Sequence, residues 1–274
     1  MTTSRRAHHL TRQEQAMASD TSNHQPLRGI IRTLVPQGLR SRYWRWRDDQ
    51  RWQQVRSGDA YEPHVSKALK RYIRPGFTCL DVGANVGLLS VLMADCTGPR
   101  GRVYAFEAHP ENADKLRANV RRTGLEDRID VIHRAVNDGL TERVTLYAGR
   151  NNSAAEWNIL GHDINNHVTH AGCNVPAVAL DDYFDAQQRI DLVKIDVEGA
   201  ESQVLMGMAR IIWQWSPVMV IECHSDENWR ACANLADYGY RFQSLADGRL
   251  LDPAASYHTA HFVAAKAAVK AKAG

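Results

Sequence analysis

The stretch Leu80-Asp81-Val82-Gly83-Ala84-Asn85-Val86-Gly87 constrains the fold more than any other part of this chain. It lies between an apolar, strand-like run from Phe77 to Val82 and a helix-like run from Val86 to Ala94. A strand, a tight glycine turn and a helix N-terminus together form a cradle that lets backbone approach a nucleotide-like ligand. The spacing is G-x-x-x-G, not the G-x-G-x-x-G that wraps a dinucleotide pyrophosphate. Opened by Asp81, the turn suits a ligand without phosphates, such as S-adenosylmethionine, whose cationic amino-acid end an aspartate can hold. A second strand, Arg102 to Phe106, ends in Glu107, where such folds place a carboxylate for the ribose hydroxyls.

The rest of the chain repeats the alternation. Helices are expected at Glu62 to Ile73, after His109-Pro110, after Asp196 and at Trp229 to Leu235. Strands are expected at Ile129 to Ile132, Ile190 to Asp196, Val218 to Cys223, Arg241 to Leu245 and Ala260 to Ala265, the last two antiparallel. Val144 to Tyr147 and Val175 to Leu180 read as an added hairpin. This pattern predicts an α/β, doubly wound, mostly parallel sheet with its ligand at the carboxyl ends of the strands. Asp81, Glu107, Asp196 and Glu222 all fall at those ends. So many acids at one sheet edge are costly without cationic partners, which marks a site.

Composition sets the surroundings. Hydrophobic residues make up 44% of the 274, enough for a sizeable core. No run approaches the ~18 apolar residues of a membrane span. The first residues lack a signal peptide's apolar segment. The five cysteines, Cys79, Cys96, Cys173, Cys223 and Cys232, are scattered and form no C-x-x-C pair. Together these features predict a cytoplasmic protein with reduced thiols. Residues 1–75 carry 15 Lys/Arg against 6 Asp/Glu, and the remainder carries 19 against 25. The basic excess therefore belongs to the N-terminal part. Residues 1–26 read as a disordered tail, residues 27–60 as a basic, aromatic helical extension, 61–266 as the catalytic domain and 267–274 as a flexible tail. The extension, with Trp44, Trp46 and Trp52, can pack on the core, form a homodimer contact or touch an anionic surface.

Four motifs occur in order: Asp81-Val-Gly-Ala-Asn-Val-Gly, Phe106-Glu107-Ala-His-Pro110, Leu180-Asp181-Asp182-Tyr183 and Lys194-Ile-Asp-Val-Glu-Gly-Ala-Glu201. With Ile221-Glu222, they resemble the FkbM-type methyltransferases from about Tyr61 to Cys223. The resemblance implies a seven-stranded Rossmann-like methyltransferase sheet with an inserted β-hairpin, and S-adenosyl-L-methionine as cofactor. It also implies methylation, most often at oxygen, of a small-molecule or glycan acceptor. Carried over by position, Asp81, Gly83, Asn85 and Gly87 would hold the methionine end, and Glu107 the ribose. Ala135 and Asn137, within Ala135-Val136-Asn137-Asp138, would border the adenine. Asp196 and Glu198 would meet the acceptor.

An alcohol acceptor benefits from a general base, for which Asp196, Glu198, Glu222 and His224 are candidates. Lys194, two residues before Asp196 on the strand, faces the same side and can pair with one of these carboxylates; a structural Lys194–Glu201 bridge is its alternative use. The end of the Asp196 strand carries no N-P-P-Y-like motif, which argues against an amino-purine or amide nitrogen acceptor. Asp196 and Glu222, with His224, could hold a hard cation, but their spacing matches no metal motif, so a metal-free site is expected. His162, His167 and His170 with Asp163 read as a polar loop. The alternative functions are ribose methylation of RNA, or a catalytically inactive binding protein that touches nucleic acid through its basic arm.

Overall fold

The structure, a computed structural model, describes residues 61–148, 170–257 and 259–266. The chain divides into two compact units, Met1–Gln53 and Gln54–Gly274, and the described residues belong to the second. The tails, the arm with its dimer and nucleic-acid roles, and the loop residues His162, Asp163 and His167 lie outside them.

Helix α1 (Pro63–Tyr72) has proline in its first turn and Lys70 and Arg71 in its last. Both placements suit a helix, since an N-terminal proline loses no bond and cations face the carbonyl end. Val65, Ala68, Leu69 and Tyr72 form its buried face. Strand β1 (Thr78–Val82) follows, then α2 (Leu88–Thr97), β2 (Arg102–Phe106), α3 (Pro110–Thr123) and β3 (Ile129–Ile132). Helix α2 is buried around almost its whole circumference, as its mostly apolar sequence requires. In α3, Ala113, Leu116 and Val120 turn inward as their spacing predicts.

Strands β4 (Ala135–Val136), β5 (Arg143–Ala148) and β6 (His170–Val178) form a separate three-stranded sheet. The expected hairpin is present as the antiparallel β5–β6 pair, but β4 joins it by pairing parallel with β6. The main sheet resumes with a short helix α4 (Leu180–Tyr183) and β7 (Leu192–Ile195). Helices α5 (Glu201–Met206) and α6 (Ala209–Trp215) follow, then β8 (Val218–Cys223), α7 (Asp226–Ala233), β9 (Tyr240–Ser244), β10 (Leu250–Leu251) and β11 (Ala260–Lys266).

The main sheet has the order β10-β9-β11-β8-β7-β1-β2-β3. Strands β3, β2, β1, β7 and β8 are parallel, and β11 runs antiparallel between β8 and β9. The predicted seven strands are present, and β10 adds an eighth, two residues long, at the edge. The chain builds outward from β1 through β2 to β3, then returns to place β7 on the other side. That reversal makes β1 and β7 the switch point, where doubly wound sheets open a crevice at their carboxyl ends. One core lies beneath, joining Leu80 and Val82 of β1 to Ile195, Ile221, Trp229 and Phe262.

Candidate active site

The crevice is an open cleft with about 930 Å³ of non-atom space, solvent included. The ends of β1, β2 and β7 form its floor. Gly83 and Asn85, Glu107, and Lys194, Asp196 and Glu198 line it, and Ala135, Val136 and Leu146 of the small sheet close one side. Tyr61 and Glu62, just before α1, line it too.

The glycine turn folds for steric reasons. Gly83 has φ +78, and a Cβ there would stand 1.8 Å from the Asp196 carbonyl oxygen. A side chain is therefore excluded both by backbone conformation and by the end of β7. The turn is fastened to β2 through Gly83 N–H and Ala84 N–H, which donate to Phe106 O at 3.0 and 2.9 Å. Four described non-glycine residues have positive φ, and three of them, Glu62, Asn85 and Glu198, line the cleft. Left-handed backbone in L-residues is strained and collects where function holds it.

Glu107 is 7% exposed. Its Oε2 accepts from Asn85 N–H at 2.7 Å and its Oε1 from His109 N–H at 2.8 Å. Burial pushes its carboxyl up, the two N–H donors offset only part of that, and it comes to rest at about 7. The carboxylate is thus oriented by backbone, with lone pairs left for ligand hydroxyls.

Asp81 does not face this space. It is fully buried, accepts from Ser90 Oγ at 2.5 Å, and lies 3.4 Å from Lys194 Nζ. The register sets Asp81 of β1 directly beside Lys194 of β7. Its expected contact with a cationic ligand is therefore corrected: Lys194 is already its cation. Lys194 also donates to Gly83 O at 2.9 Å and lies 3.3 Å from Asp196 Oδ2. Burial pulls its ammonium down, but Asp196, Asp81 and Glu62 outweigh this and hold it above its ordinary value. Lys194 is a fixed charge that ties the glycine turn to β7. It does not bridge to Glu201, whose partners are Gly199 N–H at 3.0 Å and His224 Nδ1 at 2.7 Å.

Two other expected cofactor residues also sit behind the cleft. Gly87 backs onto Leu116, which a Cβ would meet at 2.1 Å. Asn137 is 1% exposed; it donates to Thr141 O at 2.9 Å and accepts from Gly139 N–H at 3.1 Å, shaping a turn. Ala135 lines the cleft.

At the other end, a row of charges runs along the tips of β7, β8 and β11. His224 Nδ1 meets Glu201 at 2.7 Å, while its Nε2 lies 3.4 Å from Glu222 and 3.6 Å from Glu198. Glu222 also pairs with His261 Nε2 at 3.0 Å. Burial would lower His224, but hydrogen bonds to Glu201 and Glu222 win and raise it to about 11. Burial would lift Glu222, yet the two histidines hold it below the usual carboxylate range. An imidazolium cannot accept a proton, and so stabilised a carboxylate accepts one poorly, so neither expected base is suited to the task. Glu198 differs. Burial lifts its carboxyl, His224 offsets only part, and Asp196 and Glu222 add to the rise, leaving it at about 7.

Two trios bring possible metal donors within 4.8 Å of one another: Asp196, Glu198 and His224, and Glu62, Asp196 and Glu222. The first would require His224 to give up a proton its neighbours hold tightly. The second abuts the Lys194 ammonium, which already serves Asp196 as countercharge. Tyr61, Glu62 and His261 are the residues the sequence reading missed. The signal for the first two was a Tyr-Glu-Pro step opening an amphipathic helix; His261 gave none.

A doubly wound parallel sheet, a glycine turn after β1 and an oriented carboxylate after β2 define the methyltransferase class that uses S-adenosyl-L-methionine. The Methyltransferase FkbM domain matches residues 81–242, more than half of the chain, and the protein belongs to that family. It is 30% identical over 177 residues to the 31-O-demethyl-FK506 methyltransferase FkbM of Streptomyces tacrolimicus, covering 56% of this chain and 67% of that one. It is 28% identical over 195 residues to the AMB antimetabolite synthetase AmbE of Pseudomonas aeruginosa, covering 60% of this chain but only 9% of that protein. The crystal structure of methyltransferase FkbM from Methylobacillus flagellatus aligns with 80% of this chain and 59% of its own, at 17% identity and a TM-score of 0.44. None of the described helices is long and apolar enough to cross a membrane.

Proposed function

We propose that this methyltransferase methylates a hydroxyl oxygen on a sugar, a glycan or a hydroxylated natural product, with Glu198 as the general base. The observation that carries this reading is Glu198: a half-buried carboxyl that lines the cleft and is tuned to about 7. A base near the working pH combines an available anion with real proton affinity. His224 holds Glu198 from behind, and left-handed backbone at φ 52 fixes its direction. One relative points the same way, being by name a methyltransferase of 31-O-demethyl-FK506.

The residues present fit S-adenosyl-L-methionine. Asn85 and Gly83 offer backbone at the turn, Glu107 offers a carboxylate preset by two N–H donors, and Ala135 offers an apolar wall. When bound, the cofactor supplies an electrophilic methyl group on a sulfonium. The protein's part is to hold the acceptor oxygen in line and to remove its proton. Glu198 takes that proton. Lys194, 3.3 Å from Asp196 Oδ2, holds that carboxylate in place beside the acceptor.

The test is Glu198→Gln, assayed with labelled cofactor against a panel of glycans and hydroxylated metabolites. Turnover on the acceptor found with the wild type should fall by about 10²–10⁴. Affinity for S-adenosylhomocysteine should stay within a few fold. Wild-type turnover in the variant would remove Glu198 from this role, and methyl transfer only to nitrogen acceptors would overturn the oxygen assignment.

A further inference from the structure

We propose that Glu62, which precedes residues 81–242 of the family match, binds the ammonium at the amino-acid end of S-adenosyl-L-methionine. This rests on the cofactor reading of the cleft. Asp81, the sequence's first choice for that contact, is fully buried and does not line the cleft; its Oδ2 accepts from Ser90 Oγ and its Oδ1 lies 3.4 Å from Lys194 Nζ. The ammonium therefore needs an anion on the cleft side of Lys194.

Glu62 is placed there. It lines the cleft with Gly83 and Lys194. Its Oε2 has no solvent contact, and among the described residues it has no hydrogen-bond partner. Tyr61, beside it, lines the same cleft. The segment is locked: Ser66 N–H donates to Glu62 O at 2.9 Å, and the buried Ser66 Oγ donates to Tyr61 O at 2.7 Å. Glu62 itself sits at φ 44 and ψ 68, left-handed backbone that a glutamate adopts only under constraint. The constraint holds the Glu62 carboxyl at the cleft wall.

The order of contacts fits. Glu107, at the ribose position, is joined to Asn85 N–H, and Gly83 O is joined to Lys194, whose charge acts on Glu62. Glu62 thus shares the cleft with the glycine turn and Lys194, its carboxylate within 4.8 Å of donor atoms of Asp196 and Glu222. Burial raises the Glu62 carboxyl and Asp196 adds to this, outweighing Lys194. The group lacks a countercharge of its own, and an ammonium brings a full positive charge with three donors.

Calorimetry on the full chain tests this with S-adenosylhomocysteine and 5′-methylthioadenosine, which share the nucleoside but differ in the amino-acid end. Glu62→Gln should weaken S-adenosylhomocysteine about tenfold or more and leave 5′-methylthioadenosine unchanged, with an unaltered melting temperature. Glu107→Gln should weaken both. If Glu62→Gln weakens both ligands equally, or neither, while the wild type binds normally, this assignment falls and the cofactor reading stands. A wild type that binds neither ligand overturns both. The titrations are repeated in chelator: a persisting Glu62 effect supports direct contact, and its disappearance shows that a divalent cation intervenes and overturns direct contact.

Discussion

Glu107 and His224 show how neighbours set a charge. Glu107 reaches about 7 because it is buried, and two backbone N–H groups with the Lys194 charge offset only part of that. If its anion is what receives the ribose, affinity for 5′-methylthioadenosine should improve by up to about tenfold from pH 6 to pH 8, as the ionised fraction climbs. Glu107→Gln should remove that dependence, which calorimetry at the two pH values measures. His224 is raised to about 11. A cation whose folded value is raised contributes stability that is complete below its unfolded value, ~6.5, and is lost as pH rises toward the folded value. Glu107 and Glu198, which titrate near 7, are ionised in folded and unfolded states alike above pH 8 and drop out there. Between pH 8 and 10, wild-type unfolding free energy should therefore fall by about 1.4 kcal/mol per pH unit more than that of His224→Gln. Parallel urea titrations check this, and parallel curves for the two proteins would show that His224 is not charged in the fold.

At the scale of elements, the apolar stripe Val204, Leu205, Met208, Ile211, Ile212 and Trp215 reads in sequence as one helix. The structure breaks it into α5 and α6 at Gly207 and Met208. Asp181, from the Leu180-Asp-Asp-Tyr motif, supplies the reason: its carboxylate accepts from Arg210 N–H at 2.7 Å and Ile211 N–H at 3.1 Å, capping a new helix start. Gly207 lets the break press against the turn after β4, since a Cβ there would lie 1.9 Å from Asn137 O. Its φ of −73 suits any residue, so a substitution acts through sterics alone. Gly207→Ala should destabilise by ~1–3 kcal/mol, read from the denaturation midpoint. A neutral result would mean that the Asn137 turn yields freely. Sequence periodicity could not show the break, because both the cap and the clash come from distant residues.

At the scale of the molecule, the unit Gln54–Gly274 contains the whole sheet and every residue of the cleft. A chain beginning at Gln54 should therefore unfold in one cooperative transition and bind S-adenosylhomocysteine with full-length affinity. Loss of either, by calorimetry, would assign residues 1–53 a part in the fold or site. The class of fold, the cofactor cradle and the carboxylate after β2 were legible in the sequence. They depend on local rules: alternation of strand and helix, glycine at a turn, and an acid at the next strand's end. The sequence also brought the right acids to one sheet edge, because parallel strands all end on the same side. Tertiary structure alone decided what each acid does. Asp81 lost its ligand role because register put Lys194 beside it and α2 brought Ser90 over it. His224 and Glu222 became a fixed ion pair because β11 and α5 delivered His261 and Glu201. Glu198 and Glu62 stayed without full countercharge, and burial, which no stretch of sequence displays, set their chemistry.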